Sequence, residues 1–140
     1  MKQEVLLTIR GEQRYAGAET EVIELMTEGT MEAREDGWDL CYEESDLTGL
    51  QGVVTTFRIR GDQVELDRSG KLHSQMVFRE GVSHDSLYQM EFGALLISVC
   101  ATRVRWAITP EGGAIDVEYR ISVEESAAGT ISYHIAIAAK

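Results

Sequence analysis

The sequence predicts an all-β fold, a single antiparallel meander barrel of about eight to ten strands. The first observation is that apolar and polar residues alternate in short runs along the whole chain. The second is that glycine-containing turn pairs separate these runs: Asp36-Gly37, Gly61-Asp62, Ser69-Gly70, Glu80-Gly81, Gly112-Gly113 and Ala128-Gly129. The third is that long connections are few, which favours a closed barrel over a sandwich.

The alternation defines ten strands in chain order. They span residues 4–15, 21–35, 38–44, 52–60, 63–68, 71–79, 86–92, 94–108, 114–124 and 130–138, and a loop covers 45–51. Neighbouring side chains in a strand point to opposite faces, so each strand has one inward set. The residues expected to be buried include Val5, Leu7, Ile23, Leu25, Leu40, Phe57, Leu66, Met76, Phe78, Val117, Tyr119 and Ile135. The residues expected to be exposed include Glu24, Glu28, Arg58, Glu65, Glu118 and Arg120.

Two strands depart from simple alternation. Gly29 lies in the middle of the second strand, where it predicts a bulge or a sharp bend. The eighth strand is apolar on both faces between Ala94 and Ala101. Because a barrel strand needs only one apolar face, the second face is covered by a loop, covered by a partner subunit, or left open. A homodimer that uses Leu95, Ile97 and Val99, or their opposite-face neighbours, is one of these alternatives.

Length and composition indicate one domain over residues 1–140 and exclude some classes of function. The net charge of −11, from 24 acidic and 13 basic residues, repels phosphate backbones and argues against nucleic-acid binding. No apolar stretch is long enough to cross a membrane, and no secretory signal is recognisable, so we expect a cytoplasmic protein without a membrane partner. Cys41 and Cys100 are expected to be reduced and at least half-buried.

Short motifs along nearly the whole chain resemble a known family. They are Tyr42-Glu43-Glu44, Thr55-Thr56, Arg68-Ser69-Gly70, Met76-Val77-Phe78, the stretch 88–93, Gly112-Gly113, Tyr119 and the stretch 133–137. In this order and spacing they resemble the YwiB-like family of small uncharacterised bacterial proteins. The resemblance implies a calycin-like (lipocalin-like) β-barrel, and it implies no activity.

Glu44 and Arg68 break the inward pattern, because each falls among apolar inward residues. A charge inside a barrel is costly unless it is paired and hydrogen-bonded. The two residues therefore predict either an ion pair that fixes the strand register or an anion-binding site. In such a site Arg68 would meet a ligand carboxylate or phosphate. The inward hydroxyl groups that would complete the site, or satisfy one another, belong to Tyr42, Thr55, Ser74 and Tyr88.

No pattern in the sequence points to catalysis. His73, His84 and His134 are scattered without metal-ligand spacing, and no nucleophile elbow or phosphate-binding loop occurs. We therefore predict no catalytic residue, no metal and no cofactor. The favoured function is a non-enzymatic module that binds a small anionic or amphipathic ligand in or at the mouth of the barrel. The alternative is a filled, structural or partner-binding barrel that acts through its acidic or apolar outer surface, and an enzyme is the third alternative.

Overall fold

A computed structural model of the protein describes residues 2–15, 17–45, 50–90, 92–124 and 126–140. Ten β-strands and no helix occur in these residues. The strands are β1 (Lys2–Tyr15), β2 (Glu21–Arg34), β3 (Gly37–Glu43), β4 (Val53–Arg60), β5 (Gln63–Gly70), β6 (Ser74–Arg79), β7 (Ser83–Met90), β8 (Gly93–Thr109), β9 (Gly112–Val123) and β10 (Ser126–Ala139). The predicted all-β fold is confirmed. Within the described ranges no helix is long and apolar enough to cross a membrane.

The strands form one antiparallel meander. Their order in the sheet is β6-β5-β4-β3-β2-β1-β10-β9-β8-β7, so the last strand returns to pair with the first. The two ends of this order, β6 and β7, meet through isolated bridges that join His73 to Gln89 and Arg79 to Val82. Two backbone hydrogen bonds of 2.8 Å link His73 and Gln89. The sheet is therefore a nearly closed barrel, consistent with a calycin-like architecture.

Several strand ends differ from the sequence-based expectation. β6 begins at Ser74 rather than three residues earlier, and β7 runs from Ser83 to Met90 rather than from 86 to 92. β10 begins at Ser126, four residues before the expected position. Of the expected loop at 45–51, residues 46–49 lie outside the described residues, and so does residue 91 near the expected end of the seventh strand.

The inward and outward faces separate largely as the alternation predicts. Ten of the twelve named inward residues are buried, the exceptions being Ile23, which is 39% exposed, and Leu25, which is half-buried. β3 pairs with β2 only from Gly29 onward, so the first half of β2 pairs with β1 alone. Ile23 and Leu25 lie in this half, at the rim of the barrel. Glu65 and Glu118 are half-buried rather than exposed. Arg58 lies 3.2 Å from Glu65, and the Thr102 hydroxyl donates to Glu118 over 3.1 Å.

The irregular positions also differ from the expectation. The pairing of β1 with β2 runs without interruption through Gly29, so the expected bulge is absent there. A Cβ atom at Gly29 would lie 2.6 Å from the Cys41 carbonyl oxygen, so close backbone packing explains the glycine. The register shifts instead between Ala101 and Arg103 in β8 and between Ala127 and Gly129 in β10.

The shift in β8 changes which side chains point inward. Ile97, Val99 and Ala101 are buried before the shift, and Val104 is buried after it. The opposite-face residues Leu96, Ser98 and Cys100 are half-buried. Ile97 and Val99 therefore belong to the barrel core, whereas Leu95 is 37% exposed.

Candidate functional site

Four of the candidate residues lie in one row across four strands. Tyr42 on β3 is opposite Thr55 on β4, Thr55 is opposite Arg68 on β5, and Arg68 is opposite Ser74 on β6. Short turns connect β4 to β5 and β5 to β6, and the side chains of directly opposed residues share a face. The row therefore places three hydroxyl groups and one guanidinium on the inner wall of the barrel.

Glu44 follows the last residue of β3 and joins this row from one end. Its backbone N–H donates to the Val53 carbonyl over 2.9 Å, which keeps the chain beside β4. The Thr55 hydroxyl donates to Glu44 Oε2 over 2.6 Å, and Arg68 Nε lies 3.9 Å from the same oxygen. The Glu44 side chain is 2% exposed and that of Arg68 is 12% exposed. The two charges thus form a buried, loosely spaced ion pair.

Arg68 is only partly satisfied by this arrangement. Its Nη2 donates to the Tyr133 hydroxyl over 3.4 Å, whereas its Nε has no hydrogen-bond partner among the described residues. Burial alone would lower the pKa of Arg68, but Tyr133 and Glu44 outweigh that effect and raise the pKa. The guanidinium is therefore a permanent cation with an unused donor in the barrel interior.

A cavity of about 260 Å³ lies beside this guanidinium. Arg68, Glu44, Tyr42 and Tyr88 all line it, so four of the six candidate residues share one space. Thr55 and Ser74 are buried but are not part of the lining. The Ser74 hydroxyl oxygen has no hydrogen-bond partner among the described residues, while Thr55 acts through Glu44.

Tyr133 was not among the residues singled out as a site from the sequence. It lines the cavity, contacts Arg68, and stacks near Tyr119 with ring centroids 6.5 Å apart. The sequence signal that could have identified Tyr133 is its position among the inward-facing residues of β10. The residue opposite Tyr133 on β1 is Gly11, where a Cβ atom would lie 3.4 Å from the Tyr133 ring. Gly11 therefore leaves space for the ring beside the cavity.

Two of the phenols that line the cavity, those of Tyr42 and Tyr119, have a raised pKa. Burial raises the pKa of Tyr42, and the nearby Glu44 carboxylate raises it further. Burial also raises the pKa of Tyr119 well above its usual value. A buried neutral phenol can donate a hydrogen bond to an acceptor but does not act as a base near neutral pH. The cavity thus offers hydrogen-bond donors and one cation.

The described residues contain no group of three or more His, Cys, Asp or Glu side chains that could hold a metal ion. The positively charged and hydroxyl-bearing side chains at the cavity suit recognition of an acceptor group rather than metal binding.

These features define a class, a ten-stranded antiparallel barrel with a small, largely apolar cavity inside that has a buried ion pair in its wall. The chain belongs to the family described as "Domain of unknown function (DUF1934)", whose model matches residues 7–135. The crystal structure of the ywiB protein from Bacillus subtilis is similar in fold, with a TM-score of 0.89 and 22% sequence identity. The superposition covers 99% of this chain and 93% of that one. The resemblance to the YwiB-like family is thereby confirmed, and no curated protein matches the chain.

Proposed function

We propose that this protein is a non-enzymatic module that binds a small anionic or amphipathic ligand inside the barrel, with the anionic group at Arg68. The observation that carries the proposal is the Arg68 guanidinium, which is nearly buried beside a cavity of about 260 Å³ and has an Nε without a hydrogen-bond partner among the described residues. An unused buried donor is costly, and a ligand acceptor would remove that cost.

The charges at the site support an anion of limited size. Glu44 already balances the charge of Arg68 in part, but the 3.9 Å separation from Nε is too long for a hydrogen bond. A ligand carboxylate or phosphate can accept from Nε while Thr55 continues to hold Glu44. The Tyr133 hydroxyl, which accepts from Arg68 Nη2, keeps its own proton for donation to the ligand. The cavity volume is at the small end of ligand pockets, so the ligand is expected to be small.

The outer end of the cavity is apolar, which supports an amphipathic ligand. The lining residues Ile23 and Tyr15 are 39% and 36% exposed, so the cavity opens beside the free start of β2. Leu25 and Leu50 also line it and are half-buried. A ligand with its anionic group at Arg68 would place an apolar body against these side chains.

The alternative, a filled barrel that acts through its outer surface, predicts an interior without such a space. The cavity therefore favours the binding module.

The proposal includes the cytoplasmic location expected from the sequence, in which the two free thiols of Cys41 and Cys100 would be kept reduced.

Calorimetric titration with octanoate, and with octanol as the neutral comparison, tests the proposal. We expect octanoate to bind at least about tenfold more tightly than octanol, because the carboxylate gains charge-assisted hydrogen bonds from Arg68. Arg68→Met should abolish this preference. Arg58→Met, which removes an exposed arginine on the outer face of the neighbouring strand, should leave the preference intact.

Two controls keep this result interpretable. If Arg68→Met does not fold, Arg68→Lys takes its place in the titration. Lysine keeps the positive charge but lacks the planar set of guanidinium donors, so this variant should bind octanoate weakly. Equal binding of octanoate and octanol by the unmodified protein, or an unchanged preference in both folded Arg68 variants, would contradict the proposal.

A further inference from the structure

A second concave surface lies on the outside of the barrel, on the strands around β9. It is an open groove of about 590 Å³. Five of its residues form one row across five strands: Arg14 on β1, Thr130 on β10, Arg120 on β9, Cys100 on β8 and Ser83 on β7. The side chains of this row point away from the core, opposite to the row that contains Arg68.

Arg14 and Arg120 in this groove differ from most arginines of the protein. Arg10, Arg34, Arg58, Arg60, Arg68, Arg79 and Arg105 each pair with a carboxylate. Within the described part of the chain no ion pair is formed by Arg14 or Arg120, although both are exposed. Arg14 Nε donates only to the Thr20 hydroxyl, over 3.2 Å. In a chain with a net charge of −11, the described residues that line the groove include these two arginines and no carboxylate.

The neighbouring acidic side chains have other partners. Glu12 lies 3.2 Å from Arg10, and Glu118 accepts a hydrogen bond from the Thr102 hydroxyl over 3.1 Å. Asp85 accepts a hydrogen bond from Ser98 over 2.6 Å. The donors of Arg14 and Arg120 therefore remain available to a group from outside the chain.

We propose that this groove binds the oxyanion group of a small organic anion between Arg14 and Arg120. One strand separates the two residues, so their Cα atoms are roughly 10 Å apart. Two guanidinium groups on that spacing can reach one phosphate or carboxylate from both sides and contact it bidentately. Thr130, opposite both arginines in the row, supplies a hydroxyl donor beneath the anion. Ser83 and Ser122, which also line the groove, offer hydroxyl groups to the body of the ligand.

This site is distinct from the cavity inside the barrel. Arg14 and Arg120 lie on the outer face, whereas Arg68 and Glu44 line the inner cavity. Tyr15 and Ile121 contribute to both spaces, but neither supplies a charged group to the anion. The outer groove therefore does not depend on the ligand proposed for the barrel.

Titration with pyrophosphate, and separately with succinate, at constant ionic strength tests the groove. We expect saturable binding of at least one anion, and the tighter of the two identifies the class as phosphate or carboxylate. Arg14→Gln and Arg120→Gln should each weaken that binding at least about tenfold. Arg103→Gln is the matched control, because Arg103 is also exposed and forms no ion pair in the described residues, but lies outside the groove. It should change the affinity less than about twofold.

Cys100 provides an independent readout of occupancy. The bound anion should slow its alkylation by iodoacetamide, whereas the rate at Cys41, which lines no part of the groove, should not change. Arg68→Met should leave both effects intact, which separates this site from the barrel cavity. Absence of saturable binding of either anion, or an equal loss of affinity in Arg103→Gln, would overturn the proposal.

Discussion

Arg68 carries its charge inside the barrel because several partners share the cost of its burial. Glu44 supplies the opposite charge, Tyr133 accepts one hydrogen bond, and Thr55 holds the Glu44 carboxylate in place. The remaining unused donor at Nε faces the interior. One residue can therefore contribute both to the stability of the barrel and to ligand binding, and the two contributions can be measured separately.

Replacing Arg68 by methionine should destabilise the protein by about 3 kcal/mol, because it leaves the Glu44 carboxylate buried without its cation. Denaturant unfolding of the unliganded protein measures this loss. The matched variant Arg58→Met removes an exposed arginine that pairs with the half-buried Glu65 and Asp67, and should cost about 1 kcal/mol because water screens these charges. An Arg68→Met protein as stable as the unmodified protein would show that the ion pair contributes nothing to the fold.

The buried phenols predict a loss of stability in alkali. Burial raises the pKa of Tyr42 and of Tyr119 above the ordinary value of 10.0. The unfolded chain releases these protons above pH 10 while the folded protein keeps them, so stability is full below pH 10 and falls as the pH rises further. Tyrosinate absorbance and circular dichroism recorded in parallel should show both residues ionising only as the barrel unfolds. Complete ionisation of all tyrosines with intact circular dichroism would contradict this prediction.

At the scale of secondary-structure elements, one carboxylate connects three neighbouring strands. Asp39 on β3 lies 2.7 Å from Arg34 on β2 and 2.7 Å from Arg60 on β4. Burial alone would raise the pKa of Asp39, but hydrogen bonds from Arg60 and Arg34 outweigh it and lower the pKa. The contacts hold the closed ends of two hairpins together, at the end of β3 away from Glu44.

Asp39→Asn should destabilise the protein by about 1–2 kcal/mol near neutral pH, because two charge-assisted hydrogen bonds are weakened. The pKa of Asp39 is lower in the folded protein than in the unfolded chain. Its stabilisation is therefore complete above pH 3.8 and is lost as the pH falls through the folded value. Urea unfolding near neutral pH, and again below pH 3.8, measures the free energy of unfolding of both proteins. The difference between the unmodified protein and Asp39→Asn should be smaller at the lower pH. A difference that is constant with pH would show that the charge of Asp39 is not responsible.

Strand alternation made the row of Tyr42, Thr55, Arg68 and Ser74 predictable. Each residue falls in the inward phase, and short turns fix the register of β4, β5 and β6, whereas the longer connection from β3 to β4 leaves the position of Tyr42 to the strand phase alone. The contact from Arg68 to Tyr133 was not predictable in this way, because β5 and β10 are not neighbours in the sheet. Such a contact depends on how the barrel closes and how wide its interior is, which pairwise alternation does not specify.

The exposure of Ile23 and the bulge in β8 have the same kind of explanation. The phase of Ile23 is inward, but its burial depends on where β3 begins to pair with β2. Likewise, the register shift after Ala101 arises from the pairing of β8 with β9. No glycine or proline marks its position in the sequence. Sequence periodicity predicts the faces of a strand and does not predict where a neighbouring strand starts or slips.

At the scale of the whole molecule, one group of exposed apolar side chains lies near β7 and β8, and another lies on β2. Leu87 is 51% exposed, Leu95 is 37% exposed and Phe92 is 95% exposed. A homodimer through this surface stays a prediction. The core position of Ile97 and Val99 limits its contacts to the outer face and rim of these strands.

Ile97→Glu should therefore unfold the protein rather than dissociate a dimer, because the new carboxylate would be buried without a partner. Phe92→Ser should leave the fold intact and, if the dimer forms, reduce the mass measured by light scattering to that of one chain. Circular dichroism of both variants checks the fold. A folded Ile97→Glu protein would contradict the assignment of this residue to the core.

The central claim is that a small anion enters the barrel with its charged end at Arg68. Isotope-filtered nuclear Overhauser spectra of labelled protein with unlabelled octanoate test it most directly. We expect contacts from the methylene group beside the carboxylate to the rings of Tyr133 and Tyr42. We also expect contacts from the terminal methyl group to Leu25 and Ile23 near the mouth. Contacts confined to outer-face residues, or a terminal methyl group beside Tyr133 with the carboxylate in solvent, would contradict it.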